Sequence, residues 1–159
     1  MSDHEKVPML QTGYDTLEIE LRQLKYIDRQ EIVKAIEVAR AHGDLSENAE
    51  YHAAKEQQGL TEARIKELEG SLSAADVIDP TQLSGTRVLF GATVTVLDED
   101  DKKLTYQIVG RYEADVSAHK ISNSSPLGRA LIGQKIGDDV EVITPSGEKY
   151  YRIQIIEFI

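Results

Sequence analysis

The chain has 159 residues, of which 40% are hydrophobic and 6% aromatic, and its 28 acidic and 18 basic side chains give a formal net charge of −10. This composition predicts a soluble globular protein with one ordinary domain or two small ones, and the absence of cysteine excludes disulfides and thiolate metal sites. So acidic a chain is not expected to bind nucleic acid strongly by itself, because such binding depends on Lys and Arg at phosphates.

Targeting signals are not expected. The opening residues, MSDHEKVPML, are too polar for a secretory signal, and no run of about eighteen apolar residues predicts a membrane span. Together with the lack of cysteine, this predicts a cytoplasmic protein without a membrane partner. Residues 1–80 hold 17 acids and 9 bases, whereas residues 81–159 hold 11 and 9. Any contact with DNA or RNA is therefore expected to be local or made inside a partner.

Two long helices are predicted in the first half, because apolar residues recur every three or four positions from Tyr14 to about His42 and again from Glu47 to Ala75. The first stripe comprises Tyr14, Leu17, Leu21, Leu24, Ile32 and Ile36 with Ala35 and Ala39, and the second comprises Tyr51, Ala54, Leu60 or Thr61, Ile65, Leu68, Leu72 and Ala75. At roughly 28 to 30 residues, each helix is about 40 to 45 Å long. The short connection predicts an antiparallel coiled-coil hairpin over residues 1–79 with its tip near 43–48.

After Pro80 the apolar period changes to two, which predicts strands. The predicted strands are Thr86–Leu97 with a break allowed at Gly91, Leu104–Val109, Asp139–Thr144 and Tyr150–Ile156. A short helix is predicted to open at Pro126 and to close at Gly133 in a left-handed cap. Residues 80–159 are therefore expected to form a small α+β domain with an antiparallel sheet, joined to the hairpin through the linker PTQLSG.

The bend between the helices, AHGDLSENAEYHAAKEQQ, places two carboxylates outside any predicted core. Gly43 suits the positive φ that ends a helix, and Asp44 or Ser46 can accept hydrogen bonds from the N–H groups that open the second helix. With Asp44 at the N-cap, Glu47 falls at N3 in a variant of the capping box. The same spacing would also let both carboxylates share Mg²⁺. Two exposed carboxylates do not complete its shell, so a second macromolecule would supply the other ligands, which argues against an autonomous enzyme.

Three segments carry a resemblance to the Gre family of bacterial transcript cleavage factors, and within it to the GreA branch: ARAHGDLSENAEYHAAKEQQ, RIKELEGSLSAADVID and SNSSPLGRALIGQKIGDDVEVITPSGEKYYRIQIIEFI. The resemblance runs from about Met9 to Ile159, with the tip motif, the arm lengths and the final hairpin in the same order. It implies a coiled-coil hairpin followed by a domain of the FKBP-like fold. It also implies RNA polymerase as the partner, with the second domain docked at the rim of the secondary channel and the hairpin inside, where a backtracked RNA 3′ end lies.

Carried over by position, the two tip acids of the family fall on Asp44 and Glu47. The resemblance implies that they stimulate cleavage of the RNA by the polymerase itself. Asp44 would be an outer ligand to a second Mg²⁺ shared with the polymerase and not held tightly by the free protein, and Glu47 would orient or deprotonate the attacking water. Tyr51 would contact the RNA or pack as the first apolar residue of its stripe. Arg40 and Lys55 would contact RNA phosphates or remain solvated.

Other residues carry weaker signals. Ser125 and Pro126 match the polymerase-docking loop of the family, and they match a helix N-cap with proline at N1 equally well. Ser46 stands where many GreA-like tips have a basic residue, so a strong basic patch is not expected. His42 and His52 bracket the tip, but a zinc site would need three ligands within about 2 Å of one ion, which favours ordinary surface roles.

Two other functions fit parts of the sequence. A protein that binds the channel without promoting cleavage would share the hairpin, and the intact pair of Asp44 and Glu47 disfavours it. A prolyl isomerase would share the FKBP-like fold, but it needs an apolar, aromatic-lined pocket, and the aromatic residues of 81–159 lie mostly at positions expected to pack strands.

Overall fold

The computed structural model describes residues 5–45 and 47–159, which form two compact units. The first unit contains Tyr14–Ala75, and the second contains Asp76–Ile159 together with Lys6–Gly13 from the beginning of the chain. No pattern in the sequence indicated that this early segment belongs with the second unit. None of the helices in the described ranges combines the length and the apolarity that crossing a membrane requires.

The first unit is built on a helical hairpin, as predicted. One arm comprises α1 (Gln11–Gln23), a π-helical turn (Leu24–Asp28) and α2 (Arg29–Arg40), and the other arm is α3 (Ala49–Ser73). The π-helical turn explains why the spacing of the first apolar stripe changes between Leu24 and Ile32. Because such a turn inserts one extra residue into a helix, the stripe resumes one position later than a regular repeat would place it and stays on the same face.

Buried residues along both arms mark the seam of the hairpin. They include Leu17, Ala39, Thr61, Ile65 and Leu68, each of which is less than 5% exposed. The predicted stripe on α3 left Leu60 and Thr61 as alternatives. The structure places Thr61 in the seam and leaves Leu60 62% exposed, because Thr61 continues the alternating three- and four-residue spacing that leads to Ile65 and Leu68.

Two bidentate ion pairs join the arms and define their antiparallel register. Nε and Nη2 of Arg29 donate to the Glu62 carboxylate over 2.9 and 2.8 Å, and the same atoms of Arg64 donate to Glu20 over 2.8 and 2.9 Å. The hydrogen bonds from Arg29 hold the pKa of Glu62 below its usual range. Since these side chains are substantially exposed, the pairs contribute little stability and mainly favour one register over its neighbours.

The second unit contains a curled sheet of five strands, which are β3 (Thr93–Leu97), β4 (Lys103–Val109), β5 (Lys120–Ser122), β6 (Asp139–Thr144) and β7 (Gly147–Glu157). Their order in the sheet is β5-β4-β3-β7-β6. All neighbouring strands are antiparallel except β4 and β5. The helix α4 (Pro126–Leu131) contributes Leu131 to the core, whose buried members are Val88, Ala92, Val94, Val96, Ile108, Leu131, Val140 and Ile153. The predicted α+β fold is confirmed.

Two parts of the predicted strand pattern need correction. The strand predicted over Thr86–Leu97 begins only at Thr93, and before it Arg87 forms an isolated bridge with Lys135. The break that the sequence allowed at Gly91 is confirmed, because Gly91 has φ +89° and the chain turns there. Strand β5, which is only three residues long, was not predicted.

Residues 6–13 are joined to the rest of the second unit through the half-buried carboxylate of Glu113. Strand β1 (Val7–Met9) pairs with β2 (Ala75–Val77), and the next amide, Leu10 N–H, donates to Oε2 of Glu113 over 2.9 Å. A Cβ added to Gly13 would lie 2.6 Å from the Glu113 side chain. Glycine at this position therefore lets the carboxylate reach the start of α1.

Burial raises the pKa of Glu113, and hydrogen bonds from the backbone of Leu10 and Gly110 partly oppose this effect. An acid with a raised native pKa contributes stability below its unfolded value of 4.5 and loses that contribution as the pH rises through the native value. Glu113→Gln keeps an oxygen acceptor for Leu10 and does not titrate. We therefore expect the difference in thermal midpoint, variant minus wild type, to become more positive as the pH rises from 4 to 8. A difference that does not change with pH would contradict this expectation.

Candidate functional site at the hairpin tip

The tip loop, residues 41–45 and 47–48, follows the C-terminus of α2. His42 N–H donates to the Ala39 carbonyl and Gly43 N–H donates to the Arg40 carbonyl, each over 3.2 Å. Gly43 has φ +102°, which confirms the predicted positive φ at this helix end. A side chain other than glycine is strained there, so Gly43 allows the chain to leave α2 sharply and return along α3.

The second helix does not start as predicted, and the capping box of Asp44 and Glu47 is wrong. The N-cap is Asn48, whose Oδ1 accepts a hydrogen bond from Tyr51 N–H over 3.0 Å. The alternative cap, Ser46, lies outside the described residues. Several polar residues in DLSEN suit an N-cap, but an asparagine also has an amide N–H₂ group to donate. Asn48 uses that group to reach the Ala39 carbonyl over 2.6 Å.

Both acids predicted as reagents, Asp44 and Glu47, are exposed in the tip loop. Within residues 5–45 and 47–159, no group of three or more His, Asp or Glu side chains could hold a metal ion. Carboxylate oxygens are the ligand type that Mg²⁺ prefers, but two carboxylates are too few for its octahedral shell. The donor set therefore fits a Mg²⁺ ion only as part of a site that another molecule completes.

The residues predicted to contact RNA lie on the two arms next to the tip loop. Arg40 at the end of α2 is exposed, and so is Lys55, whose Nζ donates to Gln58 Oε1 over 3.1 Å. Tyr51 is half-buried and makes an edge-to-face contact with His52, with the ring centroids 5.6 Å apart. Its ring is thus only partly withdrawn from solvent. The two arms bring these cationic and aromatic side chains to the same end of the hairpin as the acids.

The two histidines that bracket the tip have ordinary neighbours. His42 Nε2 lies 3.6 Å from Glu50 Oε2 at the exposed surface, where a protonated ring would form an ion pair. His52 lies against the Tyr51 ring.

In the second unit, the predicted docking residues form a helix cap. Ser125 Oγ accepts from Gly128 N–H over 3.1 Å and donates to the Ser122 carbonyl over 2.6 Å, while Pro126 occupies the first turn of α4. A Cβ at Gly128 would meet the Ser122 carbonyl oxygen at 2.2 Å, so the loop is packed closely against the helix. This confirms the predicted cap and the short helix, and it leaves docking by the same residues as a prediction.

Comparison with known proteins identifies both parts of the chain. The family model for the N-terminal part of transcription elongation factors matches residues 7–77, and the model for the C-terminal part of the GreA/GreB factors matches residues 83–158. The chain belongs to the GreA/GreB family of transcription elongation factors.

Relatives agree with this assignment over the whole length. The transcription elongation factor GreA of Sphingopyxis alaskensis is 64% identical, and that of Zymomonas mobilis is 60% identical, in both cases over 100% of each chain. Among solved structures, GreA factor homolog 1 (Gfh1) of Thermus thermophilus is 31% identical, with a TM-score of 0.44 and coverage of 96% of this chain and 99% of that one.

A cleft in the second unit of this family member bears on the isomerase alternative. It measures about 480 Å³ and is lined by Asp98, Glu99, Asp100, Leu104, Tyr106, Glu148, Lys149, Tyr150 and Tyr151. Three tyrosines, Tyr106, Tyr150 and Tyr151, supply an aromatic wall, although the aromatic residues of 81–159 were expected mostly to pack strands. However, four carboxylates share the cleft, and an apolar prolyl ring is poorly matched to so many charges. The cleft therefore does not favour prolyl isomerisation.

Proposed function

We propose that this elongation factor enters the secondary channel of bacterial RNA polymerase and stimulates the polymerase to cleave backtracked RNA 3′ ends, which rescues arrested complexes. The observation that carries the proposal is the position of Asp44 and Glu47, exposed in the loop that joins two long helical arms. With 25 residues, α3 alone is about 37 Å long at 1.5 Å per residue. An arm of that length suits delivery of side chains into a deep channel.

In this proposal the factor is not itself an enzyme, because its acids complete a site that belongs to the polymerase. Asp44 supplies an anionic oxygen ligand to a shared Mg²⁺, and Glu47 orients the attacking water and accepts its proton. When bound, the metal would stabilise charge on the phosphate and lower the pKa of the water. The role of Glu47 needs a carboxylate that reaches beyond the protein surface, and its exposed position provides one.

The neighbouring residues would hold the RNA. Arg40 and Lys55 are exposed cations on opposite arms, and they would contact phosphates of the displaced RNA. The partly exposed ring of Tyr51 would stack on a base, as aromatic side chains do in many single-strand sites. A few such contacts inside the polymerase are compatible with a net charge of −10, which disfavours strong binding to free nucleic acid.

The second unit would dock on the polymerase at the rim of the channel through Ser125 and Pro126. Their loop is held by the Ser125 hydrogen bonds and by the close approach at Gly128, so it presents a preformed surface. Because the partner would be a bacterial polymerase, we expect the protein in the cytoplasm.

The test is RNA cleavage in a purified, backtracked elongation complex with and without this protein. We expect saturating factor to accelerate release of the RNA 3′ fragment by at least about tenfold, and we expect no cleavage of the same RNA by the factor and Mg²⁺ without polymerase. If saturating factor binds the complex and leaves the rate unchanged, the protein is a channel binder without cleavage activity. Cleavage without polymerase would instead indicate an autonomous nuclease.

A further inference from the structure

We propose that Asn48 is a positioning residue for the cleavage reaction, because a single side-chain amide ties the end of α2 to the start of α3 and thereby sets where Asp44 and Glu47 lie. The inference rests on the proposed function for its activity readout. Its structural part, the tie itself, is testable in the free protein.

Asn48 forms hydrogen bonds through both its side-chain amide and its backbone. Its Oδ1 accepts from Tyr51 N–H over 3.0 Å, and its Nδ2 donates to the Ala39 carbonyl over 2.6 Å. Its backbone N–H donates to the Leu45 carbonyl over 3.4 Å, and its own carbonyl accepts from His52 N–H over 3.1 Å. The residue is half-buried, so these bonds are partly shielded from competing water.

The two side-chain bonds go to backbone groups at the two helix ends, one of which, the Ala39 carbonyl, also accepts from His42 N–H over 3.2 Å. The first N–H groups and the last carbonyls of an α-helix have no partner within the helix. Tyr51 lies in the first turn of α3, and Ala39 lies in the last turn of α2. Asn48 therefore caps the beginning of one helix and the end of the other with the same planar amide, which fixes the distance between the two helix ends.

This double role requires an amide. Asparagine, aspartate and serine cap helix N-termini about equally well. Aspartate has no hydrogen to donate when ionised and would place a negative oxygen against the Ala39 carbonyl. Serine is shorter by one heavy atom and does not extend an N–H₂ group toward that carbonyl. Either substitution at Asn48 thus keeps the cap on α3 and removes the amide hydrogen bond to α2.

Both proposed reagents lie on the segment that this tie closes. Glu47 precedes Asn48 directly, and Asp44 precedes Leu45, whose carbonyl accepts the Asn48 backbone bond. With the tie intact, the two carboxylates hold one relative placement before they meet the polymerase. Without it, the ends of the arms separate more freely, and the acids have to be ordered in the complex at a cost in rate.

The experiment compares Asn48→Ser with wild type in two assays. In the free full-length protein, we expect amide hydrogen exchange at His42, Gly43 and residue 48, whose N–H groups are hydrogen-bonded at the tip, to accelerate by about tenfold while exchange at Ile65 and Leu68 is unchanged. In a backtracked complex with saturating factor, we expect cleavage to slow by about tenfold or more and to need more Mg²⁺ for half-maximal rate, with affinity for the polymerase unchanged. Asn48→Asp should show the same loss, although aspartate also keeps an N-cap on α3.

The control is Arg29→Gln, which breaks an ion pair between the same arms away from the tip. We expect it to leave both the cleavage rate and the exchange at Gly43 close to wild type. If Asn48→Ser stimulates cleavage at a rate within about twofold of that with an active wild type, the positioning role is overturned while the proposed function stands. Unchanged exchange at the tip overturns the tie regardless of cleavage. If wild type itself fails to stimulate cleavage, the proposed function and the positioning role both fall, and the exchange result still decides whether the tie exists.

Discussion

Leu68→Asp should unfold much of the hairpin under conditions in which wild type is folded. Leu68 is completely buried in the seam. One turn earlier on α3, Arg64 pairs with Glu20, and one turn before Glu20, Leu17 is buried as well. The antiparallel register brings these turns together, so the new carboxylate would have neither water nor a cation of its own. We expect a loss on the order of 4 kcal/mol in the free energy of unfolding.

Leu60→Asp is the matched control, because it makes the same chemical change on the same helix at a side chain that is 62% exposed. We expect it to change the free energy of unfolding by no more than about 0.5 kcal/mol. Far-ultraviolet circular dichroism during thermal and urea unfolding of the full-length variants measures both effects, since the hairpin holds most of the helix. Equal losses in the two variants would mean that the seam does not run through Leu68.

The long helical arms were predictable because their apolar residues recur at a regular spacing over many turns. The apolar stripes specify the arms over several turns, and only their fine placement required the structure, as the choice of Thr61 over Leu60 shows. Local chemistry specified α4, where Ser125, Pro126 and Gly133 each have a conformational preference that acts within a few residues. These signals do not depend on distant parts of the chain.

The features that were missed depend on contacts between distant residues. The pairing of β1 with β2, and the bond from Leu10 to Glu113, join positions that are far apart in sequence. Three-residue strands carry too little alternation to be recognised alone.

The N-cap of α3 at the tip was missed for the same reason, because it depends on a contact with the other arm. DLSEN offers several residues that can cap a helix, and local propensity does not rank them. The choice of Asn48 is explained by the Ala39 carbonyl on the opposite arm, which is a tertiary contact. The signal that could have found it is the chemistry of the side chain, since of these candidate caps only asparagine can cap one helix and extend an N–H₂ group to another.

Asp44→Asn should leave the fold intact and abolish most of the cleavage that the factor stimulates. Because the N-cap of α3 is Asn48 and not Asp44, the substitution does not alter the residue that caps the helix. The amide keeps the shape of the side chain but loses the negative charge that makes a carboxylate the stronger ligand for Mg²⁺. We therefore expect an unchanged thermal midpoint, unchanged binding to the polymerase and a decrease in cleavage rate of about a hundredfold.

The response to Mg²⁺ should separate the two acids. A weakened metal site is compensated by mass action, so raised Mg²⁺ should restore part of the activity of Asp44→Asn. Glu47→Gln should recover less, because its proposed task is to handle the water, and more metal does not replace a proton acceptor. The decisive measurement is the cleavage rate of a backtracked complex saturated with Asp44→Asn, followed across a Mg²⁺ titration beside Glu47→Gln. A rate for Asp44→Asn within about twofold of wild type at every Mg²⁺ concentration would show that this carboxylate is not a reagent in the reaction.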